Sequence, residues 1–166
     1  MIQDISPLGF DNRYIADKEP DKDSMLMYFR GNKVLCNMNS QQLFPTISQL
    51  KNPSDLKYLF SVGDVKYFLV GDYSSADEAF SMVNIRQLRH ERYALRPSIF
   101  ALFTAYHLSE WYNSSRYCGE CGGKTIPCTG ERAMLCTDCG KLIYPRINPA
   151  VIVGITNGDK LLVSRY

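Results

Sequence analysis

Arg116-Tyr117-Cys118-Gly119-Glu120-Cys121-Gly122 and, after a gap of fourteen residues between the inner cysteines, Cys136-Thr137-Asp138-Cys139-Gly140 decide how this chain is read. Two Cys-x-x-Cys pairs at this distance bring four thiolates within reach of one tetrahedral zinc ion at about 2.3 Å per bond. A glycine follows each pair at once. In a knuckle of this kind the backbone curls so that its N–H groups aim at the sulfurs, and the tight turn suits a residue that tolerates positive φ. Two knuckles facing each other across a short β-hairpin make a ribbon, with residues 116–145 as its extent. Four thiolates leave no open coordination position, so Cys118, Cys121, Cys136 and Cys139 are expected to hold a structural zinc. A redox reading competes, but thioredoxin-like Cys-x-x-Cys motifs occur singly beside a βαβ pattern, which is missing here. Cys128, inside the hairpin, and Cys36 read as small, partly buried side chains.

Immediately before the first knuckle the apolar period is helical. Ile99, Leu102, Phe103, Tyr106, Trp111 and Tyr112 fall mostly three and four apart, with Thr104, Ser109, Glu110 and Asn113 between them. The pattern predicts a connecting helix over residues 97–115, its aromatic stripe packing a core and its end placing the metal site. Upstream, residues 1–96 read as a small β-rich domain. Its first twenty-three residues hold six acids and no sustained period, so at most a short strand is expected there. Met25–Phe29 and Lys33–Cys36 flank Arg30-Gly31-Asn32, and Tyr58–Ser61 and Val65–Val70 flank Gly63-Asp64; both read as hairpins. Pro45 is expected in the first turn of a short helix, and Ser81–Ile85 as a further strand. The whole is an α+β chain.

Composition sets the outer limits. The chain has 166 residues, 45% hydrophobic and 22% charged, which rules out disorder and allows one ordinary domain or two small ones. No apolar run approaches the roughly 20 residues of a membrane-spanning helix and no signal-peptide pattern opens the chain, so a soluble cytoplasmic protein is expected. The net charge of +2 is too small to imply a polyanion partner. It is divided unevenly: residues 1–85 carry eight basic and eleven acidic side chains, residues 86–166 eleven and six. An anionic ligand should favour the second half.

Neither His90, in Arg89-His90-Glu91-Arg92, nor His107, three residues before Glu110, has the partners that make a site. No Ser-His-Asp signature, P-loop or Gly-x-Gly-x-x-Gly pattern is present. After the second knuckle, Leu142–Pro149 leads into Ala150–Ile155, a turn at Asn157-Gly158-Asp159 and Leu161–Val163, which is the pattern of strand, turn and strand. Such a hairpin is marginal alone, so it either joins the preceding sheet or opens a further domain.

From Ile85 onward the chain resembles the NADH pyrophosphatases of the Nudix hydrolase superfamily. The resemblance is carried by Ile85-Arg86-Gln87-Leu88, the helix reaching Trp111, the first knuckle, Glu131-Arg132-Ala133-Met134-Leu135-Cys136, and Tyr144-Pro145-Arg146-Ile147-Asn148-Pro149-Ala150-Val151-Ile152-Val153. It implies a zinc ribbon between an N-terminal domain and a Nudix domain that cleaves the pyrophosphate of NAD(H), or of NAD caps on RNA, to nicotinamide mononucleotide and AMP. It also implies a homodimer, and Mg²⁺ or Mn²⁺ held by the glutamate-rich helix Gly-x₅-Glu-x₇-Arg-Glu-x-x-Glu-Glu-x-Gly. Hard divalent ions want such oxygen ligands.

That helix pattern is not found here, so residues 146–166 are expected to be the first hairpin of an incomplete Nudix domain and the chain alone to be inactive. Three positions match places where the family binds dinucleotide: Arg86 for phosphate or base, Glu131 for ribose or amide hydrogen bonds, and Tyr144 to flank a base. A zinc-ribbon module for nucleic acid or protein is the alternative. Against it, residues 116–146 hold five basic and three acidic side chains without aromatic-basic interleaving. A third reading has residues 150–166 self-associate through open strand edges.

Overall fold

The computed structural model describes residues 4–91, 95–148, 151 and 153–163. Its architecture is α+β, with several small sheets and one long helix. In chain order the N-terminal part runs β1 (Phe10–Asp11), β2 (Met25–Met27), β3 (Phe29–Arg30), β4 (Lys33–Cys36), a 3₁₀ turn (Ile47–Gln49) and β5 (Leu50–Lys51). It continues with β6 (Lys57–Val62), β7 (Val65–Leu69), β8 (Ser75–Ala76), β9 (Ser81–Asn84), the short helix α1 (Ile85–Glu91) and the long helix α2 (Arg96–Ser114). The main sheet has the order β1-β6-β7-β2, a second sheet β3-β4-β9, and β5 pairs β8.

Both anticipated turns form. Val62 pairs with Val65 across Gly63-Asp64, and Arg30 with Lys33 across Gly31-Asn32. Gly63 and Gly31 each sit at φ +56, in the left-handed region that L side chains avoid. The first hairpin is shorter than the sequence suggests. The strand breaks at Tyr28, and Met25–Met27 leaves for the main sheet, running parallel to β7 with Leu26 opposite Phe68. That departure is driven by burial on both faces of the main sheet. Met27, Tyr67 and Leu69 join the core under α2, while Leu26, Phe68 and Val70 join a second core with Leu35, Leu50 and Phe80.

Two other boundaries shift. Pro45 lies outside the short turn: Thr46 caps it, its N–H donating to Gln49 Oε1 at 2.9 Å. Ile85 starts α1 instead of ending a strand, because Asn84 Oδ1 accepts the Arg86 backbone N–H at 2.9 Å as a helix opens. The α2 stripe packs largely as core. Ile99, Ala101, Leu102 and Ala105 are buried over the main sheet, with Phe103, Tyr106 and Tyr112 partly buried against them.

Within the β6–β7 ladder, Tyr58 pairs with Phe68 and Phe60 with Tyr67, so Leu59 is the extra residue of a bulge. Its backbone is thereby freed for a partner outside the sheet.

Beyond α2 come β10 (Thr125–Pro127), β11 (Met134–Cys136) and β12 (Leu142–Ile143), a three-stranded antiparallel sheet, then β13 (Thr156–Asn157) and β14 (Lys160–Leu161). The terminal hairpin is smaller than anticipated. Thr156 pairs with Leu161 around Gly158 at φ +60, and one further bond runs from the Leu162 N–H to the Ile155 carbonyl at 2.9 Å. Of the strand foreseen over 150–155, Ala150 and Ile152 lie outside the described residues, and Val151, Val153, Gly154 and Ile155 are not in a strand. Among the described residues the hairpin makes its own two-stranded sheet and joins no other. Without a second layer it leaves Val151, Val153, Ile155, Leu162 and Val163 exposed. No helix among the described residues is long and apolar enough to cross a membrane.

Candidate metal centre and the hairpin beside it

The C-terminus of α2 fixes the start of the ribbon. Ser115 caps the helix by donating its N–H to the Trp111 carbonyl at 3.0 Å. Its own carbonyl accepts the Thr125 hydroxyl, and the Arg116 carbonyl accepts the Thr125 N–H at 3.2 Å. The first strand of the ribbon is thus stitched to the helix end.

The two knuckles repeat one hydrogen-bond scheme. Gly122 N–H donates to the Cys118 carbonyl and Gly140 N–H to the Cys136 carbonyl, at 2.9 and 3.1 Å. Cys118 N–H donates to the Gly123 carbonyl and Cys136 N–H to the Lys141 carbonyl, at 2.8 and 2.9 Å. Gly122 and Gly140 adopt φ of +77 and +74, the conformation expected from the sequence. Gly123 is needed for a different reason: a Cβ there would lie 2.4 Å from Asp138 Oδ2, so the knuckles approach too closely for any side chain. An exposed ion pair, Lys141 to Glu120 at 2.6 Å, joins the two from outside.

All four sulfurs lie within 4.8 Å of one another, with Cys118 to Cys139 at 3.7 Å and Cys121 to Cys136 at 3.4 Å. A tetrahedron built from roughly 2.3 Å bonds has edges of about 3.8 Å, so the quartet fits zinc. No disulfide forms, which leaves the thiols available as ligands. Backbone N–H groups of Cys121 and Glu120 hold the Cys118 thiol down to about 7 and the Cys139 N–H leads those that lower Cys136, whereas at Cys121 and Cys139 the neighbouring sulfurs outweigh the Gly123 and Lys141 N–H donors and push the thiols up, Cys139 to about 12. Donors aimed at sulfur stabilise the thiolate that a metal requires. The donor set is closed, so the zinc it would hold braces the fold and has no position for water or substrate.

Cys128 stands outside this group. Its carbonyl accepts the Tyr14 hydroxyl at 2.7 Å and its N–H donates to Ala133 at 2.9 Å, so the residue's role is in its backbone. Cys128→Ser is therefore expected to retain one zinc per chain with unchanged stoichiometry in metal analysis; loss of the metal would contradict the ligand set. Cys36 is fully buried in β4. His107 is exposed on α2, away from the sulfurs, and the His90 side chain lies outside the described residues.

Glu131 and Tyr144, thirteen residues apart, meet across the ribbon: the Tyr144 hydroxyl donates to Glu131 Oε1 at 3.1 Å. That bond, with the carboxylate charge behind it, pushes the phenol's pKa upward. Both side chains are exposed and so open to a ligand. Arg86 is not joined to them by any hydrogen bond or ion pair among the described residues; it is exposed on the first turn of α1.

One participant was marked in the sequence only as part of a resembling stretch, with no role of its own. Arg132 extends from the end of the ribbon hairpin to the N-terminal part, where its Nη2 donates to the bulged Leu59 carbonyl and its guanidinium lies 5.8 Å from the Tyr14 ring centre. Burial lowers its pKa, and Nη1 is buried with no partner.

Comparison with known proteins shows what the quartet is similar to. The model for the NADH pyrophosphatase zinc ribbon domain matches residues 113–144. The chain is 37% identical over 107 residues to the NAD-capped RNA hydrolase NudC of Pseudomonas syringae pv. syringae (strain B728a), covering 62% of this chain and 36% of that protein. It is 40% identical over 79 residues to NudC of Stutzerimonas stutzeri (strain A1501), covering 47% and 29%. Against NudC of Shigella flexneri it is 44% identical over 59 residues, covering 36% and 23%. The similarity supports the NADH pyrophosphatase family of Nudix hydrolases, over part of the chain. The match spans between 23% and 36% of the length of these relatives.

Proposed function

We propose that this chain is the N-terminal and zinc-ribbon part of an NADH-pyrophosphatase-like Nudix hydrolase. The whole protein's reaction, on this reading, cleaves the pyrophosphate of NAD(H), or of an NAD cap on RNA, to nicotinamide mononucleotide and AMP. The observation that carries the proposal is the Tyr144–Glu131 bond at 3.1 Å, which brings two residues matched to dinucleotide-binding positions onto one exposed face of the ribbon. Glu131 offers a carboxylate to ribose hydroxyls or a carboxamide, and Tyr144 offers a ring to a base. Arg86 would meet phosphate from the N-terminal side.

The chain's own residues do not fit the divalent ion of catalysis. Among the described residues the four cysteines are the one group able to hold a metal, and no carboxylates converge as Mg²⁺ or Mn²⁺ would need. No hydrolytic step is therefore assigned to this chain. We further propose a cytoplasmic homodimer that meets RNA only as an NAD-capped substrate.

Titrating the chain with NADH, followed by cofactor fluorescence, tests the reading. Glu131→Gln is expected to weaken binding by about tenfold, the scale of one hydrogen bond to a charged group. With Mg²⁺ or Mn²⁺ added, chromatography should find neither nicotinamide mononucleotide nor AMP. Unaltered NADH binding by the variant, or cleavage by the chain alone, would overturn it. Tight, salt-sensitive binding of uncapped RNA would favour a nucleic-acid module instead.

A further inference from the structure

Exposure divides the sulfur quartet. Cys121 and Cys139 are exposed while Cys118 and Cys136 are buried, so each knuckle presents one thiol to solvent and hides the other. The approaches at 3.7 and 3.4 Å run between the knuckles, Cys118 with Cys139 and Cys121 with Cys136, so each exposed sulfur faces a buried one on the opposite knuckle. An accessible thiol with a second one poised to resolve it is the arrangement of a reversibly oxidised pair. The backbone holds the knuckles together without using sulfur. Thr137 donates its N–H to the Lys124 carbonyl at 3.0 Å and its hydroxyl to the same oxygen at 3.1 Å, and Thr125 lies opposite Cys136 in the ladder.

We propose that the ribbon has a second closed state, reached with hydrogen peroxide, in which two disulfides crossing between the knuckles, Cys118–Cys139 and Cys121–Cys136, take the place of the zinc. The proposal rests on the quartet as a zinc site. An exposed thiolate, of Cys121 or Cys139, attacks a peroxide oxygen: the S–O bond forms, the O–O bond breaks, and the departing hydroxide takes a proton to become water. The thiolate of the buried partner then attacks the sulfenic sulfur, so that the S–S bond forms, the S–O bond breaks and a second hydroxide leaves as water. Each sulfur pair gives two electrons to one peroxide. Four thiolates become two neutral disulfides, and no ligand remains for the metal. A link within one knuckle would close only the two residues between its cysteines and leave the knuckles untied. The crossed links instead close the chain from 118 to 139 and from 121 to 136, which restricts the opened chain far more. The oxidised, zinc-free ribbon therefore stays folded, where removal of zinc from the reduced ribbon unfolds it.

The test uses the zinc-loaded chain carrying Cys128→Ser, which removes the half-buried thiol outside the quartet; Cys36 is fully buried. Metal analysis before oxidation separates the two readings, since a chain isolated without zinc would overturn the metal site and this proposal with it. Hydrogen peroxide is expected to release the zinc to a chromophoric indicator, with about two peroxides consumed per chain. Dimedone present during the oxidation should label Cys121 and Cys139 and spare Cys118 and Cys136. Without dimedone, peptide mapping should find Cys118 joined to Cys139 and Cys121 to Cys136. Amide exchange should then show β10 and β11 still protected after the zinc has left, whereas the same chain stripped by a chelator under reductant loses that protection. Dithiothreitol with added zinc should restore the starting state. Zinc retained against peroxide, links within the knuckles, sulfinic acids in place of disulfides, or an oxidised ribbon as unprotected as the chelated one would each overturn the proposal.

Discussion

Cys121→Ser is expected to release the zinc and to unfold residues 116–145 while the N-terminal sheets stay folded. Serine keeps the size of the side chain but removes the thiolate, and three remaining sulfurs cannot close the tetrahedron. The consequence is large because little else holds the ribbon. Its three strands have three, three and two residues, well below what stands alone in water. Apart from the cysteines, Ala133 and Met134 are its only fully buried apolar residues among those described. Structural zinc contributes on the order of 10 kcal/mol to such modules, more than a domain of this size can spare. The N-terminal part has independent means: two cores that cover both faces of the main sheet, with Phe44, Phe60 and Phe68 all but inaccessible to solvent. Metal analysis should find zinc lost, and amide exchange should show protection lost from residue 116 onward and retained in β6 and β7. A variant that keeps its zinc, or one that unfolds throughout, would show that the ribbon's stability is not supplied by the quartet in this way.

How much of this could be read beforehand follows the range of each interaction. The knuckles are local objects: a cysteine, its partner three residues on and the glycine after it define the turn, so spacing sufficed for all four ligands. The two glycine turns were legible for the same reason, since Gly31 and Gly63 meet their conformational demand within four residues. The parallel pairing of Met25–Met27 with β7 was not, because alternation in one strand is silent about which neighbour it chooses. The contact between Glu131 and Tyr144 was out of reach for another reason. The family resemblance marked both residues, but only the register of β11 and β12, with Met134 opposite Ile143, brings their side chains together. The terminal hairpin was read too long, as an apolar run suggests a strand whether or not a sheet is there to receive it.

Arg132 is the clearest case of a residue whose role lies wholly in the fold, and removing it has the second large expected effect. Alone among the pairings of β6 with β7, the bulge at Leu59 interrupts the register, and the carbonyl it frees is the acceptor for the Arg132 guanidinium. Tyr14 supports the same joint twice, with its ring beside the cation and its hydroxyl on the Cys128 carbonyl at 2.7 Å. The hairpin end from Cys128 to Ala133 is thereby pinned to the N-terminal part, and Glu131 sits within it. Arg132→Ala should cost about 3 kcal/mol, summing a hydrogen bond from a charged donor and a cation–π contact of ordinary size. Arg132→Met should recover part of that loss, since it keeps the apolar stem and removes the unsatisfied Nη1. Urea denaturation of the zinc-loaded chain measures both. A second readout follows the pin to its neighbour. If the hairpin end swings free, Tyr144 loses its bond to Glu131, and its raised phenol pKa should fall back toward the ordinary tyrosine value, seen as the difference from Tyr144→Phe in ultraviolet titration. An alanine variant within half a kcal/mol of the parent, roughly the scatter of neutral surface changes, with Tyr144 titrating as before, would mean that the ribbon and the sheet are held together by something other than this arginine.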